Sequence, residues 1–173
     1  MALTLHAATI PSYLQILASL SRLIGKAEAH CAEKGLEPAE LIQARLAPDM
    51  YPFAYQVKST AVHSLGAIEG VRAGVFQPDT APPPDSFAGL RARVEQAVLG
   101  LGALGPDELD GYLGRDVRFE FGERRMDFTA ENFLLSFSQP NFYFHATTAY
   151  DILRMKGVPL GKADFLGPMR MKR

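Results

Sequence analysis

Tryptophan is absent from the 173 residues, and cysteine occurs once, at Cys31. A lone thiol closes no intrachain disulfide, which points to a reducing compartment and a cytoplasmic location. An excess of one charge is also missing, since 18 Lys and Arg stand against 19 Asp and Glu. A formal net charge of −1 steers a chain toward neither nucleic acid nor an anionic membrane, so neither is expected as a partner. The basic ending MRMKR reads as a solvated tail. There is no apolar run long enough to cross a bilayer. The N-terminus has no basic region, and His6 and Pro11 interrupt it, so no signal peptide is expected either. G-x-S-x-G, a phosphate-cradling glycine loop and an E-x-x-H pair are likewise missing, which removes serine hydrolase, nucleotide and di-iron chemistry.

What is present is periodicity. With 47% hydrophobic residues the chain has the material for one domain, taken as residues 1–173, around a real core. A first helix is expected from Pro11 to just before Gly35. Its apolar face is Tyr13, Ile16, Leu17, Leu20, Leu23, Ile24, Ala27 and Cys31, in steps of three and four. His6 falls before it. A short helical turn follows Pro38. The second helix is expected from Phe53 to Arg72, ending at Gly74, with Val75 closing its apolar stripe and a small polar flank holding Gln56, Ser59 and His63. The proline-rich QPDTAPPPDS reads as a loop over one end of the molecule. Asp85 or Ser86 then caps a third helix that buries Phe87, Leu90, Val94, Ala97, Val98 and Leu101.

The period changes in DVRFEFGERRMDF. Val117, Phe119 and Phe121 alternate with charged residues, and Gly122-Glu123 suits a two-residue type II′ turn. This predicts a hairpin pairing Phe121 with Arg124, Phe119 with Met126 and Val117 with Phe128. Thr129 is the expected N-cap of a fourth helix, which ends at Gly157. Within it Pro140 removes a hydrogen bond and predicts either a kink or two helices joined near Gln139. Phe133, Phe137, Phe142, Tyr143 and Phe144 cover more than one face of this helix, so the hairpin or a partner subunit must cover the surplus. The expected class is all-α, an up-down four-helix bundle with a small hairpin between helices three and four.

Two histidines lie on inward faces of different helices, His63 in the second and His145 in the fourth. Asn141 sits one turn before His145 on the same face. Imidazoles converging from facing helices could hold a metal, although zinc sites of the catalytic kind use three protein ligands. The other reading is a pair of neutral, hydrogen-bonded core imidazoles. Gln56, Ser59 and Phe142 complete the candidate pocket. His30 and Cys31 are adjacent on a helix, so their side chains diverge by about 100°, and both read as structural.

The ending PNFYFHATTAYDILRMKGVPLGKADFLG, with SYLQILASLSRLI near the start, resembles the DinB/YfiT-like superfamily of bacterial four-helix proteins, in a branch of uncharacterised members. In that superfamily a helix-two histidine joins an H-x-x-x-H pair ahead of an LR-x-x-G-V ending. Leu153, Arg154, Gly157 and Val158 match that ending. The resemblance therefore places His63 and His145 as metal ligands and Asn141 where the first histidine of the pair would stand. It implies a nickel or zinc site weakened by that asparagine. It also implies a homodimer and, if the protein is an enzyme, metal-dependent chemistry of a thiol transferase or hydrolase type. The competing expectation is a non-catalytic helical protein that binds a small organic ligand or a partner, with no metal.

Overall fold

The computed structural model describes residues 3–172. In order these form α1 (Leu5–Lys34), α2 (Ala39–Ile42), α3 (Phe53–Ala61), a π-helical segment (Val62–Gly66), α4 (Ala67–Ala73), β1 (Val75–Phe76) and α5 (Phe87–Gly102). Next come α6 (Pro106–Asp110), β2 (Asp116–Phe121), β3 (Arg124–Thr129), α7 (Ala130–Asn132), a second π segment (Phe133–Ser138), α8 (Gln139–Met155) and α9 (Lys162–Leu166). Most of the chain is helical. The backbone stays right-handed helical at the residues flanking both π segments, so α3 runs through into α4 and α7 into α8. α1 packs along α5, α3 packs against both α5 and α8, and α1 also meets α8. One contiguous apolar core lies between them, with Tyr13, Phe53, Phe133 and Phe142 its largest fully buried side chains.

The first helix starts earlier than Pro11. Thr4 caps it by accepting from Ala7 N–H at 3.1 Å, and the Asp110 carboxylate accepts from Leu5 and His6 N–H at 2.8 and 3.3 Å. Two caps, one from the distant end of α6, satisfy the first donors and extend the helix upstream of the proline. His6 therefore lies inside α1. Ser86, not Asp85, caps α5, accepting from Gly89 N–H at 3.2 Å.

The chain is mainly helical, as expected, but its sheet is larger than an isolated hairpin and holds three strands in the order β1-β2-β3. β2 and β3 are antiparallel, with Phe121 opposite Arg124, Phe119 opposite Met126 and Val117 opposite Phe128. Gly122 alone in the turn has positive φ, 58°, as a type II′ turn requires. A third strand, β1, pairs parallel to β2, setting Val75 beside Arg118 and Phe76 beside Phe119. Val75 thus belongs to a strand and not to the helical stripe. The left-handed Gly74 (φ 75°) stops α4 and turns the chain into β1. Gly70 lets β1 close down on α4, because a Cβ there would stand 2.8 Å from Phe76 Cβ. Gly70→Ala should therefore destabilise by about 1–3 kcal/mol through overpacking, despite alanine's better helix propensity, and a urea denaturation midpoint below wild type would show it.

The sheet covers the aromatic surplus of the fourth helical stretch. Phe133 and Phe137 meet Phe76, Phe119 and Phe128 with ring centroids 5.1–6.5 Å apart. Phe144 stays 55% exposed. At Pro140 the backbone stays right-handed helical from the π segment into α8, so the proline does not divide the helix. The π turn just before α8 widens the backbone where the proline cannot donate, and the helix continues.

Candidate functional site

The first π segment packs against α8, and the site is drawn from both together with α3 and the end of the second π segment. His63 lies in the first. Ser138 ends the second, and its hydroxyl donates to the His63 carbonyl at 3.1 Å. π turns recur at functional positions because a widened turn re-aims its side chains and frees backbone groups for outside partners.

His63 and His145 stack, with ring centroids 5.7 Å apart and planes 16° from parallel. Phe76 and Phe137 flank His63 at 5.5 and 5.9 Å, and Tyr55 meets His145 edge-on at 6.1 Å. Both rings are partly buried. Burial pushes His63 down to about 3, helped by the neighbouring His145, and pushes His145 down to about 4. Two stacked imidazolium ions in an apolar surrounding would repel and lose hydration, so both rings are neutral at pH 7.

The hydrogen bonds also fix which nitrogen carries each proton. Gln56 donates through Nε2 to the Tyr51 carbonyl at 2.9 Å, which turns its Oε1 toward His145 Nδ1 at 2.7 Å. An amide oxygen only accepts, so His145 carries its proton on Nδ1. The Ser138 proton is engaged by the His63 carbonyl, so its oxygen accepts from His63 Nδ1 at 3.3 Å. The assignments rest on partner chemistry, since a backbone carbonyl can play only one role. Both rings are left with a bare Nε2 lone pair. Metal-binding histidines are commonly oriented in this way, the second ring nitrogen donating to an amide, hydroxyl or carboxylate.

Asn141 is half-buried and donates through Nδ2 to the Phe137 carbonyl at 2.7 Å, which reserves its amide oxygen as the free end. Ser59 is buried one helical turn before His63. Phe142 is fully buried against Tyr13, ring centroids 4.6 Å apart, and belongs to the core packing of α1 against α8. Among the described residues no group of three or more His, Cys, Asp or Glu could hold a metal ion. Cys31 is buried, and burial, with Glu40 nearby, raises its thiol pKa. It is inert as a nucleophile.

Two residues of this neighbourhood escape a reading by periodicity. Ser138 looks like a polar interruption of an apolar stripe, yet it orients His63. Lys58 looks like a solvated lysine, yet it is 2% exposed and clamps the proline-rich loop. Its ammonium donates to the Asp79 carbonyl at 2.7 Å and to the Ala81 carbonyl, and pairs with the Asp79 carboxylate at 3.2 Å. A lysine one turn from Ala54 and Ala61 was the available signal, since small neighbours leave its stem room to lie buried.

No helix among the described residues is long and apolar enough to cross a membrane. No curated protein matches the chain. Among solved structures, a crystal structure of a DinB family member protein from Shewanella denitrificans aligns with a TM-score of 0.82 at 26% identity. The alignment covers 98% of this chain and 95% of that one. A family model described as a domain of unknown function, DUF1993, matches residues 5–166. With that match over nearly its whole length, the chain belongs to the DUF1993 family, within the DinB-like superfamily.

Proposed function

We propose that the protein is a single DinB-type up-down helical bundle carrying a reduced metal pocket, in which His63 and His145 supply nitrogen and Asn141 a weak amide oxygen. The observation behind this reading is the stacked imidazole pair with both Nδ1 protons engaged, so that two unprotonated Nε2 atoms come from facing helices. Nickel or zinc suits imidazole donors, and an uncharged amide oxygen in third place makes the hold loose. Such an ion, when bound, lowers the pKa of a coordinated water or thiol. The residues of this chain would do the rest: Gln56 and Ser138 hold the rings in one tautomer, while Phe76, Phe137 and Tyr55 limit water.

The test is metal content by mass spectrometry on protein purified without a histidine tag, before and after incubation with nickel or zinc. Binding should vanish in His63→Ala and His145→Ala and rise in Asn141→His. Gln56→Leu should weaken it by about 10–100-fold while sparing both ligands. Binding unchanged by either alanine variant defeats the reading.

A second reading has its own support in the missing third strong ligand among the described residues. There the imidazole pair is structural and the protein binds an organic ligand or a partner without catalysis. Thermal melting separates the two. An ion that binds only the folded state must raise the midpoint, and a flat response across nickel, zinc and manganese favours the second reading.

A further inference from the structure

A cavity of about 540 Å³ opens beside α3, between the loop before that helix, the proline-rich loop and the tip of the β2–β3 hairpin. Its aromatic surface comes from Tyr51, Tyr55 and Phe121. Tyr51 and Tyr55 stack with centroids 4.0 Å apart and planes 20° from parallel, yet Tyr51 remains 59% exposed and Phe121 56%. Pro82 and Pro83 add a rigid apolar wall. This volume lies in the range of small-molecule sites, which combine apolar walls with a few placed polar groups.

The charges on the lining do not balance. Lys58 is engaged by Asp79, which Arg93 also approaches at 3.4 Å. Arg45 lines the same cavity, pairs with no carboxylate among the described residues, and uses one guanidinium nitrogen on the Met50 carbonyl at 2.5 Å. Its remaining donors are free to fork onto a carboxylate. Exposed ring faces of Tyr51 and Phe121 suit a flat π-system, and the single unmatched cation suits one negative charge.

We infer that this cavity is a binding site for a small planar aromatic carboxylate, its ring against Tyr51 and Phe121 and its carboxylate on Arg45. The site is separate from the imidazole pair, which it meets through Tyr55 and through the Tyr51 carbonyl that Gln56 bonds, and it does not depend on a metal.

The probe is 2-naphthoate, titrated against the full chain by protein-observed NMR, with cyclohexanecarboxylate and 2-naphthamide as partners lacking the flat ring or the charge. Saturable binding of naphthoate, with shifts centred on Tyr51, Tyr55 and Phe121, is expected, and at least tenfold weaker binding of either control. Arg45→Ala and Tyr51→Ala, both at exposed side chains, should each weaken naphthoate at least tenfold while the far-ultraviolet circular dichroism is unchanged. His63→Ala should leave it unaltered, which keeps this outcome apart from the metal test. No saturable binding, equal binding of all three probes, or affinity indifferent to both Arg45→Ala and Tyr51→Ala would overturn the proposal.

Discussion

At pH 5 the protein should unfold in markedly less urea than at pH 7, losing up to about 4 kcal/mol between the two. The loss comes from His63 and His145, which burial holds neutral in the folded chain, with values near 3 and 4. In the unfolded chain each returns to about 6.5 and takes up a proton as the pH falls below that value. The unfolded state therefore binds more protons throughout the interval, and acid favours it. Above pH 6.5 the stabilisation is fully present. At pH 5 each ring contributes a deficit of about 2 kcal/mol, from 1.36 kcal/mol for each pH unit below 6.5. Carboxylates that arginines hold below their normal values in the fold, among them Glu108 and Asp127, lose their contribution only at lower pH, because that loss begins where the unfolded carboxylates titrate, at about 4. The window from 6.5 to 5 thus isolates the imidazoles. A His63→Leu/His145→Leu double variant should flatten the profile there, and a wild-type profile already flat would show that the rings are not held neutral.

Lys58→Met is the substitution expected to cost most for its size. Methionine keeps the stem and the helix propensity of the segment but removes the ammonium. The carbonyls of Asp79 and Ala81 then lose their donor, and the Asp79 carboxylate keeps the Ala81 N–H at 2.9 Å and its longer contact with Arg93. Removing one partner of a buried ion pair typically costs about 3–5 kcal/mol. Asp79 is one-third exposed, so water rescues part of this and a loss near 3 kcal/mol is expected. The loop should also detach locally. Limited proteolysis between Gln77 and Ser86 should be faster in the variant, and hydrogen exchange should rise at Ala81. A variant as stable as wild type, with an equally resistant loop, would mean that the clamp contributes nothing.

The long helices were legible because each must bury a stripe, and a stripe repeats every three or four residues whatever lies opposite. The hairpin register was legible for a similar local reason, since a two-residue turn leaves only one pairing. The start of α1 was not. Asp110 fixes it from more than a hundred residues away, and no window around Pro11 contains that information. β1 was hidden because a two-residue strand has no period; its place depends on Gly70 and Gly74, whose packing is visible only once α4 and β2 are set. The inward faces of His63 and His145 could be read from spacing, and so could the neighbourhood of Gln56 and Asn141. Their protonation could not. It depends on which lone pairs Tyr51 and Ser138 leave available, and those depend on two π turns that the apolar pattern does not announce. Phe142 shows the converse limit, since a position three residues from His145 on one helix proved to be core.

A π turn amounts to one residue more than its helix needs, accommodated without rotating the helix beyond it. The segment Val62–Gly66 can therefore give a residue back: a chain lacking Leu65 would close that turn into ordinary α-helix, and Ala67–Ala73 would keep presenting Ile68 and Val71 to the interior. Elsewhere in the long helices the loss of one residue swings every later side chain by about 100° and strands the core. Length variation within this family's second helix should accordingly gather at that one turn, beside the histidine it displays.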